Sequence, residues 1–251
     1  MVLGPSVGGA LFELGPTLPF YAACGGLLLA ACMLATAPSP QSFSPAGPDS
    51  ADRGDTISAD RLANWRLVAW VGLFFAYLAM GMMRYQLPSL ARALAVREAV
   101  FGIVMTVLSL VMAGTFLLLS RSDRWHFRRA LHALAQLALA AIVAGFCWVD
   151  SADGMALAVS AAGVCIGLVY ASSIFYSASG PPARRTSLLA VHEMTLPAGF
   201  VCGSLIGGSL SEYVSLRAAY PACAALILLG LLVQLLMVWR KAWPLHRPAP
   251  L

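Results

Sequence analysis

The chain holds 251 residues, of which 60% are hydrophobic and only 11% charged, a balance from which no water-soluble globular surface can be built. Sixteen Lys and Arg against eleven Asp and Glu leave a net charge of +5, which gives no sign of a nucleic-acid partner. The six cysteines, Cys24, Cys32, Cys147, Cys165, Cys202 and Cys223, lie in apolar stretches without CxxC spacing, so they read as small buried hydrophobes rather than as disulfide or zinc ligands.

About 20 apolar residues cross the roughly 30 Å hydrocarbon core of a bilayer. By that measure the chain is an all-α polytopic membrane protein with seven full transmembrane helices plus an N-terminal half helix. The spans are predicted at 18–37, 67–90, 99–119, 130–149, 154–176, 187–211 and 218–240. The N-terminus has no basic region, and Gly4-Pro5-Ser6-Val7-Gly8-Gly9 stands where a signal peptide would carry its apolar core, so no cleavable signal is read there. Residues 38–64, rich in Pro, Ser and Asp, cannot bury enough apolar surface to fold alone. They are expected to form a flexible cytoplasmic linker between residues 1–37, belonging to a first helix bundle, and a six-helix bundle at 65–242. Residues 243–251 form a tail.

Arg84 stands inside the second span, in Met82-Met83-Arg84-Tyr85-Gln86-Leu87-Pro88. Either it snorkels to the nearby interface, or it is a cavity-facing cation that binds an anionic solute or a carboxylate, with Tyr85 and Gln86 as polar neighbours. The loop after the third span, Ser122-Asp123-Arg124-Trp125-His126-Phe127-Arg128-Arg129, sets one carboxylate among arginines. A positive-inside bias alone accounts for such a loop.

His192 and Glu193 lie in the sixth span. An HExxH zinc site would need a histidine where Leu196 stands, so no metalloprotease is indicated, and no metal, cofactor or catalytic motif appears elsewhere. Counted from residue 187, the pair sits about 8–9 Å into the membrane, where ionisable groups are costly and mark solute or proton pathways. Adjacent residues point about 100° apart on a helix, so one of the two is expected to face a cavity. The alternative places both at the helix entrance, within reach of Arg184 or Arg185. In the same span Gly199, Gly203 and Gly207 recur every four residues, a spacing that brings two helix backbones close, and Gly4, Gly8 and Gly9 near the N-terminus are likewise expected to pack helices, while Pro197 interrupts the hydrogen-bond ladder of the sixth span.

Twelve Lys and Arg fall on one side of the predicted spans and three on the other, with Arg84 inside a span. The richer side is expected to be cytoplasmic, which places the C-terminus inside, at a plasma (inner) membrane. The chain also repeats itself at an offset of 199 residues. Gly4, Gly8, Gly9, Glu13, Tyr21 and Cys24 align with Gly203, Gly207, Gly208, Glu212, Tyr220 and Cys223, and both copies cross the membrane in the same sense. Parallel repeats of helix bundles occur in secondary transporters.

The Gly4–Gly9 segment is similar to the end of the fifth-helix motif of major facilitator superfamily (MFS) transporters. Residues 122–129 are similar to the acidic-basic loop that follows the second helix of each half in that family, with Leu119 and His126 standing where the family has glycines. The resemblance implies that 1–15 ends helix 5, that 18–37 is helix 6, and that 65–240 is the second six-helix half, with helices 1–4 and the start of helix 5 missing, as expected of a truncated or mis-started chain, or supplied by a partner chain. It also implies a small solute moved by alternating access, coupled to protons, with Asp123, Arg124, Arg128 and Arg129 acting as a conformational latch and the lipid bilayer as surroundings. A seven-span receptor-like or scaffold protein is the alternative from another class, and a transporter fragment without function is a third. The repeat favours the transporter, because a receptor bundle has no reason to repeat its first span near its end.

Overall fold

A computed structural model of the chain describes residues 4–36 and 59–242, all of it helix and short connection. The helices in order are α1 (Gly4–Leu14), α2 (Leu18–Thr36), α3 (Ala59–Ala93), α4 (Glu98–Leu119), α5 (Arg129–Gly145), α6 (Ala152–Ala178), α7 (Pro182–Tyr213) and α8 (Ala219–Ala242), with a 3-10 turn at Phe146–Trp148. Among the described residues six helices, α3 to α8, are long and apolar enough to cross a membrane. α2 adds 19 residues without a charge, about 28 Å of helix.

The expected limits hold within a few residues, with one correction. Residues 59–64, read as the end of the linker, form the first turns of α3. Asp60, Arg61, Asn64 and Arg66 depress the hydropathy there, but a helix needs no apolar residues once it leaves the bilayer. The rest of the linker and the tail 243–251 lie outside the described residues.

Helix ends follow local chemistry. The Ser151 hydroxyl accepts the N–H of Gly154 at 3.2 Å and caps α6, and Pro182 occupies the first turn of α7. α3 closes with Ala95 at φ 54, where Val96 N–H reaches the Ala91 carbonyl at 2.9 Å and Ala95 N–H that of Arg92 at 3.0 Å. This is a Schellman closure on alanine instead of glycine. α4 takes its cap from another helix. Glu13 at the end of α1 accepts the Ala99 N–H at 3.2 Å and pairs with Arg97 at 3.1 Å.

α3 and α6 form the centre of the bundle. α3 packs on α6, α7 and α8, α6 also packs on α4, α5 and α7, and α5 packs on α8. α1 lies along α4, and α2 packs on α1. Because lipid tails are as apolar as leucine, close backbone approach and interhelical hydrogen bonds must supply the association energy.

Both devices are present. Gly199 and Gly203 of α7 face the backbone of α3 so closely that a Cβ on either would run into the carbonyls of Phe74 and Leu78, and a Cβ on Gly81 would meet that of Phe200. A Cβ at Gly207 would meet Met82 at 2.8 Å. Gly199, Gly203 and Gly207 thus line the α3–α7 seam. On the α1–α4 seam Gly9 performs the same service, since a Cβ there would come within 2.6 Å of the Glu98 carbonyl oxygen, and the Ser6 and Thr106 hydroxyls bond at 2.5 Å. Gly4 and Gly8 do not. A Cβ on either would meet nothing, because α1 turns Pro5, Ser6, Gly9 and Glu13 toward α4. A second correction concerns the cysteines. Cys165 and Cys223 are buried, but Cys24 and Cys202 are exposed.

In the bundle interior Gln136 of α5 and Gln234 of α8 exchange both amide hydrogen bonds, at 2.8 and 2.9 Å. Gly72 of α3 makes room for them. Gln136→Leu leaves a buried amide unpaired and is expected to cost about 1–3 kcal/mol, whereas Gln136→Leu with Gln234→Leu removes both polar groups and should recover most of it. Thermal unfolding in detergent checks this. A double variant as unstable as the single one would show that the amide pair is not what matters.

Candidate functional site

The ionisable and polar-aromatic residues of α3, α6 and α7 meet on one side of the bundle. His192 of α7 is fully buried and turns toward α6, where its Nδ1 shares a hydrogen bond of 2.9 Å with the Ser173 hydroxyl and its ring lies 5.3 Å from that of Tyr170. Its Nε2 has no hydrogen-bond partner and stands 3.9 Å from Glu193 Oε1. Glu193 itself lies at the surface, with its side chain 63% exposed. One residue of the pair is thus on the open face and the other behind it, as the 100° step between neighbours requires.

Tyr77 of α3 completes this face. Its ring is 6.4 Å from Tyr170, and it stands within electrostatic reach of Tyr170, Glu193 and Arg84. Arg84 is seven residues further along the same stripe of α3, about 10 Å away. It is exposed, and among the described residues it has no ion-pair partner. Behind His192 a chain of hydroxyls continues along α6. The Ser177 hydroxyl bonds the Ser173 carbonyl at 2.8 Å and accepts the indole N–H of Trp70 at 3.0 Å.

Two sequence readings need correction. Gln86 is not a neighbour of Arg84 on this face. Two helix positions correspond to a turn of about 200°, and the Gln86 side chain is buried against α7, donating to the Gly207 carbonyl and accepting from the Ser211 hydroxyl. It is a clamp between helices. Tyr85 is half exposed, and its ring packs over Gly208. The helix-entrance reading of His192 and Glu193 also fails. α7 begins at Pro182, which puts Glu193 about 16 Å along it, and the one ion-pair contact of Glu193 among the described residues is His192, with neither Arg184 nor Arg185 beside it.

The loop between α4 and α5 is held by aromatic rings. The Trp125 indole donates to the Leu119 carbonyl at 2.8 Å, and Tyr176 Oη accepts the N–H of Phe127 at 2.9 Å. His126 stacks on Phe175 with centroids 3.8 Å apart, and Trp65 stacks on Tyr176 at 5.6 Å. The left-handed turn that a glycine would take falls on Phe127, at φ 57. Asp123 is 98% exposed and contacts His126 at 3.7 Å rather than any arginine. Burial against the rings lowers the pKa of His126, an effect Asp123 partly opposes, so the neutral imidazole is the form that packs.

Sequence reasoning missed Tyr77, Tyr170 and Ser173. Tyrosine and serine inside apolar runs carry no charge signal, and only helix packing shows that they share a face with Glu193. Among the described residues no three His, Cys, Asp or Glu side chains converge as a metal site would require.

A bundle of long apolar helices, seamed by glycines and opening one polar-aromatic face, is the arrangement of a membrane transporter half. The sequence profile of the Major Facilitator Superfamily matches residues 69–251, more than half of the chain, and the chain belongs to that family. No curated protein matches it closely enough to add a particular activity. It is an integral membrane protein with the transporter architecture of its family.

Proposed function

We propose that the protein is a secondary active transporter that moves a small solute by alternating access and couples that movement to protons through Glu193 and His192. The observation that carries this reading is the convergence of Tyr77, Tyr170 and Glu193 on one open face, backed by the buried His192–Ser173 pair. A carboxylate at membrane depth that has water on one side and a histidine on the other can take and release a proton as its exposure alternates. Arg84 would attract an anionic group of the solute toward the same face.

The internal repeat supports a further helix set against α1 and α2. Tyr220 is fully buried in α8, whereas its counterpart Tyr21 in α2 is 72% exposed, and Cys223 and Cys24 differ in the same way. Positions that one copy buries in its bundle would be covered in the other by helices of the same or another chain. In this arrangement the twelve-to-three asymmetry of cations puts the linker and the C-terminus in the cytoplasm. Asp123, Arg124, Arg128 and Arg129 would serve as the latch of a second conformer, since here Asp123 is turned to solvent.

Proteoliposomes loaded with a pH-sensitive dye test the coupling. Addition of a transported solute from a chemically diverse panel should change the internal pH, and Asp123→Asn should slow that change. Solute uptake without any proton movement would refute coupling.

A further inference from the structure

We propose that the cavity between the end of α4 and the start of α5 is a binding site for an anionic phospholipid. The cavity has a volume of about 590 Å³, and its lining includes Arg124, Arg128, Arg129, Trp125, Leu131 and Leu134. Its two halves differ in chemistry. At the loop side stand three guanidinium groups, and among the described residues none of them has a carboxylate partner, because the nearby Asp123 is turned to solvent beside His126. A guanidinium fork matches phosphate oxygens in pairs.

The start of α5 adds to the positive side. No side chain caps it, so its first backbone N–H groups, at the cavity edge beside Ala130 and Leu131, are open to an anion. Below them the wall is apolar. Leu131 and Leu134 follow the helix toward the membrane interior, and Leu134 is exposed there. The Trp125 ring, fixed by its bond to the Leu119 carbonyl, closes the inner side.

This order of groups decides between a lipid and a soluble anion. The cavity lies between the end of one helix and the start of another that are each long and apolar enough to cross a membrane; with both spans in a bilayer its cations would stand at headgroup level and its leucines at acyl-chain level. A free phosphate would use the arginines and leave the leucine wall unexplained. A phospholipid uses both, and basic pockets between transmembrane helices at a membrane surface suit anionic headgroups.

Native mass spectrometry of the protein, released from micelles that hold equal amounts of phosphatidylglycerol and phosphatidylcholine, tests the assignment. Each basic residue near the surface contributes about a fivefold preference for anionic lipid. The wild type should therefore retain phosphatidylglycerol selectively, and Arg124→Gln with Arg128→Gln and Arg129→Gln should reduce the preference about a hundredfold. The single variants Arg128→Gln and Arg129→Gln, each expected to lose about fivefold, carry the test if the triple variant does not fold. Undiminished preference in these variants would overturn the proposal. Displacement of the lipid by inorganic phosphate at the same concentration would overturn it too, by showing a site for small anions only.

Discussion

Replacing Gly203 by leucine is expected to abolish stable folding of the bundle, and even Gly203→Ala should cost about 1–3 kcal/mol. The reason is steric. The Cβ position of Gly203 is already occupied by the backbone carbonyl of Leu78, and a backbone group cannot rotate out of the way as a side chain can. α7 must therefore move off α3, which opens the seam that Gly81 and Gly199 also form and pulls on the Gln86 clamp to Gly207 and Ser211. Gly4→Ala and Gly8→Ala provide the contrast, since both positions face open space. In this chain alone, with no further helices packed on α1, they should leave the unfolding temperature unchanged or raise it slightly, because alanine favours helix over glycine. Equal destabilisation at Gly203 and Gly8 would show that helix propensity, not the α3–α7 seam, governs these sites.

The second large effect concerns coupling. Glu193→Gln is expected to abolish accumulation of solute driven by a pH gradient while leaving downhill exchange intact, since the amide keeps the shape and loses the titrating proton. His192→Ala should reduce both. It removes the ring that packs on Tyr170 and bonds Ser173, which loosens the α6–α7 contact as well as any proton path. Uptake into proteoliposomes with and without an imposed gradient separates the two. Accumulation that persists in both variants would move the coupling group elsewhere.

Much of the fold was legible in the sequence because membrane helices announce themselves by length and apolarity. The starts of α4 and α6 fell within two residues of expectation. The start of α3 did not, since hydropathy marks where a helix leaves the bilayer and not where its hydrogen bonds end. Glu193 and His192 stood out because ionisable residues are rare in apolar runs. The partners of His192 did not stand out. Ser173 is 19 residues away on another helix, and nothing in its neighbourhood distinguishes it from Ser172. The Gln136–Gln234 pair spans 98 residues, and each glutamine alone is only a polar residue in a span, a cost without a visible compensation. The four-residue glycine spacing in α7 was informative because periodicity encodes a helix face. The glycines of α1 were not separable in this way, and only the packing on α4 distinguishes Gly9 from Gly4 and Gly8.

The latch reading illustrates the limit of charge patterns. One carboxylate among arginines suggests an ion-pair network, yet exposed pairs are worth little, and in this conformer ring contacts with Phe175 and Tyr176 hold the loop instead.

The most direct test of alternating access at this face is accessibility from both sides of the membrane. Single cysteines at Tyr77 and at Ser151, in a background without the native cysteines, are exposed in proteoliposomes to an impermeant maleimide added outside or trapped inside. If this face alternates between the two sides, as the account holds, Ser151→Cys reacts from the extracellular side alone, and Tyr77→Cys reacts from either side, its rates shifting in opposite directions when a transported solute is added. A Tyr77→Cys that reacts from neither side, or from one side at a rate no solute alters, would contradict it.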